Sequence, residues 1–305
     1  MKTRIFFLAL IFLANISFAQ DEMFKVLASK GTNKIASGTS TDWRSLKIGE
    51  KINKTDKITV GEGGYLGLAH KSGKTIEIKK AGTYTAESLS SQVAAQNAGM
   101  GKKYVDFMVG EMTAKNEDMA SNRHKYMDVT GSVERGGNDI HAFVPKEAFF
   151  LNNKNLVKWQ PVKGVKTYVV KVTNMFDEPV FKIETTESSA IIDLSKIDMN
   201  DDKQVYILSI SSKENPNLKS DEYALKHLSK DKTTIVNQQS TELNKEFSDE
   251  SALNKVVMAS FYEENKLILN AVENYESAIK LEPGVDDYQV AYGRFLQRNN
   301  LAEIK

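Results

Sequence analysis

The sequence predicts a multidomain protein with an N-terminal all-β domain, a central β-sandwich and a C-terminal all-α helical hairpin repeat. Three observations support this fold class. The chain has 305 residues, which is more than one ordinary domain needs. Short alternating apolar runs, separated by turn residues, continue to about position 229. Beyond that position the apolar residues recur with the helical period of 3.6.

Residues 1–19 have the layout of a secretory signal peptide. Lys2 and Arg4 precede an almost wholly apolar run over 6–18, and Ala19 is the small residue before the expected cleavage point. The run is shorter than the roughly 20 residues that a membrane-spanning helix needs. We therefore expect cleavage after Ala19 and an exported protein. No later segment is apolar enough to span a membrane, so we expect no transmembrane helix.

Residues 20–90 have the pattern of a small all-β domain, because glycine-containing turn signals separate short alternating runs. The clearest unit is a hairpin in which Leu66 and Leu68 share one face of the first strand. Gly73 lies in the turn before the second strand at 74–78, and we expect it to supply a positive φ.

Four segments of this unit, at 46–49, 56–61, 63–68 and 72–78, together resemble the FecR-like domain, an extracytoplasmic β domain. The resemblance covers about 50 residues and consists mostly of glycines and apolar alternation. FecR proteins relay signals through a spanning helix. We expect no such helix here, so the resemblance does not imply that signalling role. The unit has 12 basic and 8 acidic side chains, and its exposed face is therefore an alternative candidate for binding peptidoglycan or an acidic glycan.

Residues 91–139 are predicted to form a helical connector. Helical spacing over 90–113 places four large side chains on one stripe: Met100, Tyr104, Met108 and Met112. The pattern favours a helix that packs this stripe on the β unit, and a promiscuous methionine-rich binding face is the alternative.

Residues 140–229 have the pattern of a β-sandwich, with an inward tryptophan, a proline-containing turn and alternating strands. The stretch resembles a fibronectin type III domain, and the matching residues are Trp159, Pro161, Tyr168, Val170, Leu194, Tyr206 and Ile210. The resemblance implies that Trp159 and Tyr206 are core residues, with Tyr206 at a tyrosine corner, rather than a carbohydrate platform. It implies little about function, because this fold serves as spacer and as binding module.

Residues 230–305 resemble a tetratricopeptide repeat region. Six positions of a 34-residue frame carry the expected small, aromatic and proline residues: Ala259, Tyr262, Ala271, Tyr275, Ala278 and Pro283. A further repeat begins near Asp286, and its helix has an apolar face formed by Val290, Tyr292, Phe295 and Leu296. This face has two possible roles: it packs against the preceding helix, or it binds a partner or a second copy.

The residue types exclude several kinds of chemistry. The chain has no cysteine, which excludes disulfides, thiolate metal sites, thiol nucleophiles and lipidation on cysteine. No two of the four histidines (His70, His124, His141 and His227) have the spacing of a helical metal pair, and we expect all four at the surface. We predict no catalytic, cofactor-binding or metal-binding residues and no enzymatic activity, with a hydrolase of unrecognised site as an alternative.

The preferred prediction is a non-enzymatic exported envelope protein that acts as an interaction scaffold or assembly component. Envelope proteins are the expected partners, in the periplasm, on the periplasmic face of a bacterial outer membrane or outside the cell. The balance of 41 basic and 40 acidic residues disfavours nucleic acid as a partner. From position 231 onward there are 8 basic and 13 acidic residues, and this acidic end beside a basic front would favour self-association.

Overall fold

The computed structural model describes residues 21–93, 99–113, 124–127, 139–197, 204–247 and 250–302. They form two N-terminal β-sheets, a central β-sandwich and a C-terminal region of four helices, which confirms the predicted fold class. The predicted signal peptide lies outside the described residues. Within the described ranges, no helix combines the length and the apolar character that crossing a membrane requires.

The N-terminal unit contains eight strands in two four-stranded sheets, ordered β4-β1-β6-β7 and β3-β2-β5-β8. The strands are β1 (Glu22–Lys30), β2 (Asn33–Ala36), β3 (Arg44–Ser45), β4 (Lys51–Asn53), β5 (Lys57–Val60), β6 (Tyr65–His70), β7 (Thr75–Ile78) and β8 (Gly82–Thr85). Leu66 and Leu68 of the predicted hairpin lie in the core between the sheets. Gly73 has a φ of 86° in the turn between β6 and β7, as the sequence predicts.

Two helices follow the N-terminal sheets, α1 (Ala86–Val93) and α2 (Gly101–Thr113). The helical segment predicted over 90–113 is therefore present at both ends, while its centre at 94–98 lies outside the described residues. Tyr104, Met108 and Met112 of the predicted stripe are buried. Tyr104 meets the ring of Phe261 edge-on, with 5.5 Å between the ring centroids. The stripe thus packs on the C-terminal helices as well as on β1.

The central sandwich has one five-stranded sheet, ordered β12-β11-β14-β15-β9, and one two-stranded sheet, β10-β13. The strands are β9 (Glu147–Phe150), β10 (Lys154–Lys158), β11 (Tyr168–Thr173), β12 (Pro179–Thr185), β13 (Ser189–Asp193), β14 (Val205–Ser212) and β15 (Tyr223–His227). Trp159 and Tyr206 are buried core residues, as predicted. The hydroxyl of Tyr206 donates to the side chain of Gln204 at 2.5 Å.

The first segment of the sandwich changes sheets at Pro145. Before it, Ala142 forms an antiparallel bridge with Trp159 at the end of β10. After it, β9 runs parallel to β15 in the other sheet. Proline has no backbone N–H for a sheet ladder, so it suits the point where the chain leaves one sheet for the other.

The C-terminal region consists of α3 (Lys230–Glu246), α4 (Ala252–Glu264), α5 (Ile268–Leu281) and α6 (Asp286–Arg298). Ser251 caps α4, because its side chain accepts from the amide of Asn254 at 3.2 Å. The four helices share one buried cluster with residues of both β units, including Leu27 and Ala28 of β1 and Phe143 of the sandwich. The helical region is therefore part of a core to which both β units and α2 also contribute.

Candidate interaction surfaces

The apolar face of α6 that the sequence singled out lies inside the protein. Val290 is 4% exposed, and Tyr292, Phe295 and Leu296 are completely buried. The ring of Tyr292 stacks on Tyr275 of α5 at 5.3 Å and meets Phe143 of the sandwich at 6.2 Å. The face therefore packs within the chain, which is the first of the two interpretations. A partner could reach these side chains only by displacing the protein's own core.

The prediction that all four histidines lie at the surface is wrong for two of them. His70 and His227 are buried, whereas His124 and His141 are exposed as expected. The two ring nitrogens of His70 lie 2.8 Å from Ser72 Oγ and 3.0 Å from Ser90 Oγ. Burial, with a smaller contribution from Lys71, lowers the pKa of His70. Its role is to join the β6–β7 turn to α1.

The N-terminal unit and the C-terminal helices are joined by buried polar contacts. The hydroxyl oxygens of Tyr65 in β6 and Tyr288 in α6 lie 2.5 Å apart. Burial raises the pKa of both hydroxyls well above the ordinary value, so both stay protonated. Beside them, the backbone amide of Ser29 donates to Asp287 Oδ2 at 2.9 Å.

Glu77 of β7 extends this junction to the N-terminus of α4. Its Oε1 accepts a hydrogen bond from the backbone amide of Leu253 at 2.8 Å. A carboxylate at a helix N-terminus satisfies a free amide and interacts favourably with the helix dipole. Lys79 bridges Glu77 to Glu282 near the end of α5, with N–O distances of 3.1 and 2.5 Å.

A second carboxylate, from the C-terminal end of α3, caps the N-terminus of α2. The two carboxylate oxygens of Glu246, at the end of α3, accept from the backbone amides of Met100 and Gly101, both at 2.9 Å. Lys74 Nζ donates to the carbonyl oxygen of Glu246 at 2.8 Å. These contacts fix α2 between the β6–β7 hairpin and α3.

An open pocket of about 450 Å³ lies where α2 meets the C-terminal ends of α4 and α6. We call it the α2–α4–α6 pocket, and the residues that define it are Lys103, Tyr104, Phe107, Glu264, Lys266 and Arg298. Most of its surface is apolar, and Phe107 is 42% exposed there. Such a pocket suits an apolar side chain better than an ion.

Ion pairs hold the walls of this pocket in place. Arg298 binds Glu263 of α4 through two nitrogens at 2.9 and 2.7 Å and also binds Glu111 of α2 at 2.5 Å. Lys103 pairs with Glu264 on the opposite wall. Lys266, on the rim, is exposed. The contacts link all three helices, so the pocket exists before any ligand arrives.

Among the residues that the structure describes, the two most exposed large apolar side chains lie together at one end of the sandwich. Met175 is 67% exposed and Phe176 is 83% exposed, at the tip of the hairpin that joins β11 to β12. We call residues 174–178 the hairpin tip. Most exposed apolar residues occur singly, whereas these two are adjacent and project from the same turn.

Side-chain and backbone hydrogen bonds fix the conformation of the hairpin tip. Asn174 Oδ1 accepts from the amides of Phe176 and Glu178 at 2.9 and 3.0 Å, and Asn174 Nδ2 donates to Glu178 Oε2 at 2.7 Å. The backbones of Asn174 and Glu178 are also hydrogen-bonded, at 3.0 Å. Asp177 has a φ of 60°, a conformation that aspartate tolerates better than most residues. The turn therefore holds its two apolar side chains out in water.

Among the described residues, no group of three or more histidine or acidic side chains could hold a metal ion. Neither the hairpin tip nor the α2–α4–α6 pocket was predicted from the sequence. A signal for the tip does exist, because Met175 and Phe176 lie between the turn-forming residues Asn174 and Asp177. The pocket has no comparable signal, since its walls come from helices far apart in the chain.

Comparison with known proteins gives little further guidance. No protein-family model and no curated protein matches this chain. Among solved structures, the FN1–FN3 domains of chicken CNTN1 are similar at 7% sequence identity with a TM-score of 0.22. That match covers 69% of this chain and 64% of the other, so the chain spans less than two thirds of that structure. The sandwich is identified by the strand order of its two sheets, β12-β11-β14-β15-β9 and β10-β13.

Proposed function

We propose that this protein is a non-enzymatic exported scaffold that binds other proteins through the hairpin tip. The observation that carries the proposal is the adjacent exposure of Met175 and Phe176 on a turn fixed by side-chain hydrogen bonds. Protein interfaces are dominated by a few large anchor side chains, and anchors held in place before binding lose less entropy. The tip meets both conditions.

The apolar face of α6 is not part of this proposal, because it stabilises the fold. Its Tyr292, Phe295 and Leu296 side chains belong to a buried cluster that the helices share with residues of both β units. Close packing in such a cluster restrains the position of the sandwich, and therefore of the hairpin tip, relative to the rest of the fold.

The proposed compartment is the bacterial envelope, either the periplasm or the periplasmic face of the outer membrane. The support is the signal-peptide layout of residues 1–19 and the resemblance of the N-terminal unit to the FecR-like domain, which is extracytoplasmic. The tetratricopeptide-like spacing of residues 252–283 adds a resemblance to a protein-binding family. Mass spectrometry of protein recovered from the producing cell should give a chain beginning at Gln20. An intact N-terminus at Met1 would contradict export by cleavage.

The binding role is tested by photocrosslinking the full-length protein in the cell that naturally makes it. A photoreactive amino acid replaces Phe176 in one variant and the exposed Glu187, in the turn before β13, in a matched control. We expect discrete crosslinked products from position 176 and only background from position 187. Equal background at both positions would contradict the proposal.

A further inference from the structure

We propose that the hairpin tip of one copy inserts into the α2–α4–α6 pocket of a second copy. This inference rests on the proposed function, because it names the partner of the same tip. It starts from the matching apolar character of the two features, since one is an exposed pair of apolar side chains and the other an apolar pocket with a preformed wall.

The two features lie too far apart to meet within one copy. The hairpin tip follows Thr173 at one end of β11, and Tyr168 marks the other end. On the Tyr168 side, Ser220 pairs with Ile140, and the adjacent His141 contacts the carbonyl oxygen of Leu301, just after α6. The five residue steps of β11 alone place about 17 Å between these ends. Because hydrogen bonds hold the tip rigid, it can fill the pocket only of another molecule.

The floor of the pocket suits the side chains that the tip would supply. Phe107 and Tyr104 present aromatic surface at the place where α2 crosses α4. Aromatic rings pack favourably against another ring and against the thioether of methionine. Burying Phe176 and Met175 there would remove from water the two most exposed large apolar side chains of the described chain.

The charges at the two surfaces favour one orientation. Next to Phe176 the tip carries Asp177, which is exposed. The pocket rim carries Lys266, also exposed, and within the described residues no ion pair to Lys266 is found. Placing Asp177 against Lys266 would pair two charges that are solvated in the free protein, and such rim pairs mainly guide orientation and association rate.

This contact is heterologous, since it joins different surfaces of the two copies. A dimer joined by one such contact still carries one free tip and one free pocket. The assembly therefore closes into a ring, of which the reciprocal dimer is the smallest, or continues as a chain. We expect self-association that rises with concentration in either case.

Sedimentation velocity over a range of concentrations tests the association in the full mature chain. We expect the weight-average mass to rise with concentration and Phe176→Ser to weaken association by about tenfold or more. Phe107→Ser should weaken it as well. Ile235→Ser, which changes an exposed apolar side chain on α3 outside both surfaces, should leave it unchanged. A wild-type protein that remains monomeric, or association unaffected by Phe176→Ser, would overturn the proposal.

Engineered cysteines identify which surfaces meet, because the chain has no native cysteine to form other disulfides. Asp177→Cys protein is mixed with Lys266→Cys protein and oxidised, with Glu187→Cys and Lys266→Cys as the control mixture. We expect a mixed disulfide only in the first mixture, and equal yields in both would overturn the assignment. If self-association fails while photocrosslinking at position 176 captures envelope proteins, the scaffold function stands and only the second-copy inference is lost.

Discussion

Tyr65 and Tyr288 are 223 positions apart in the chain, yet their hydroxyl oxygens lie 2.5 Å from each other in the buried junction between β6 and α6. Their rings meet edge-on with centroids 6.2 Å apart. The pair joins the N-terminal β unit to the last described helix. A substitution at either residue should therefore lower the stability of both regions.

Removing one of these hydroxyls should leave the other buried without this hydrogen bond. Tyr288→Phe should therefore lower the free energy of unfolding by about 1–2 kcal/mol. The double variant Tyr65→Phe, Tyr288→Phe should lose less than the sum of the two single losses, by at least about 0.5 kcal/mol. Tyr84→Phe is the control, because that hydroxyl makes only a local exposed bond to Lys80. Strict additivity in urea unfolding would contradict the pairing.

The hairpin of β6 and β7 could be predicted from sequence, because alternation and Gly73 are local signals. The environment of His70 could not, because Ser90 and α1 approach it from 20 residues away. The same limit applies to α6. Its apolar face was visible, but Phe143 and Tyr275, which cover it, belong to other elements. Local patterns thus predicted the elements, while the contacts between elements decided what stays exposed.

Two glycines in helices should respond oppositely to alanine. A Cβ on Gly293 of α6 would lie 2.5 Å from the carbonyl oxygen of Tyr126, so Gly293→Ala should destabilise the protein by about 1–3 kcal/mol. Gly110 of α2 has open space around its Cβ position, so Gly110→Ala should stabilise it by about 0.5–1 kcal/mol. Thermal unfolding of both variants measures the difference, and a stabilising Gly293→Ala would contradict the close approach.

Loss of the Glu246 carboxylate should weaken α2, because two of its N-terminal amides lose their acceptor. Glu246→Ala should cost about 1–2 kcal/mol of unfolding free energy. Glu242→Ala, one turn earlier on the exposed side of α3, should change stability by less than about 0.5 kcal/mol. Equal effects of the two substitutions in urea titrations would show that the cap does not stabilise the fold.

The buried His70 predicts a loss of stability on acidification. Its pKa is lowered in the folded protein by burial and by Lys71, so between that value and the ordinary value of about 6.5 the unfolded chain binds more protons. Its contribution to stability is therefore present above about pH 6.5 and is lost as the pH falls toward the folded-state pKa. His70→Gln should flatten the decrease in unfolding free energy between about pH 7.5 and 5.5. A wild-type profile retained by His70→Gln would contradict this role.

The C-terminal helices belong to a core shared with the β units, and the hairpin tip remains as an exposed surface. Native-state hydrogen exchange at increasing urea shows whether the helices and the β units open together. We predict that the amides of α6 and β1 exchange through the same opening, with equal free energies and equal dependence on urea, and that Tyr288→Phe lowers both together. An α6 that exchanges through an independent, lower-energy opening would contradict the shared core.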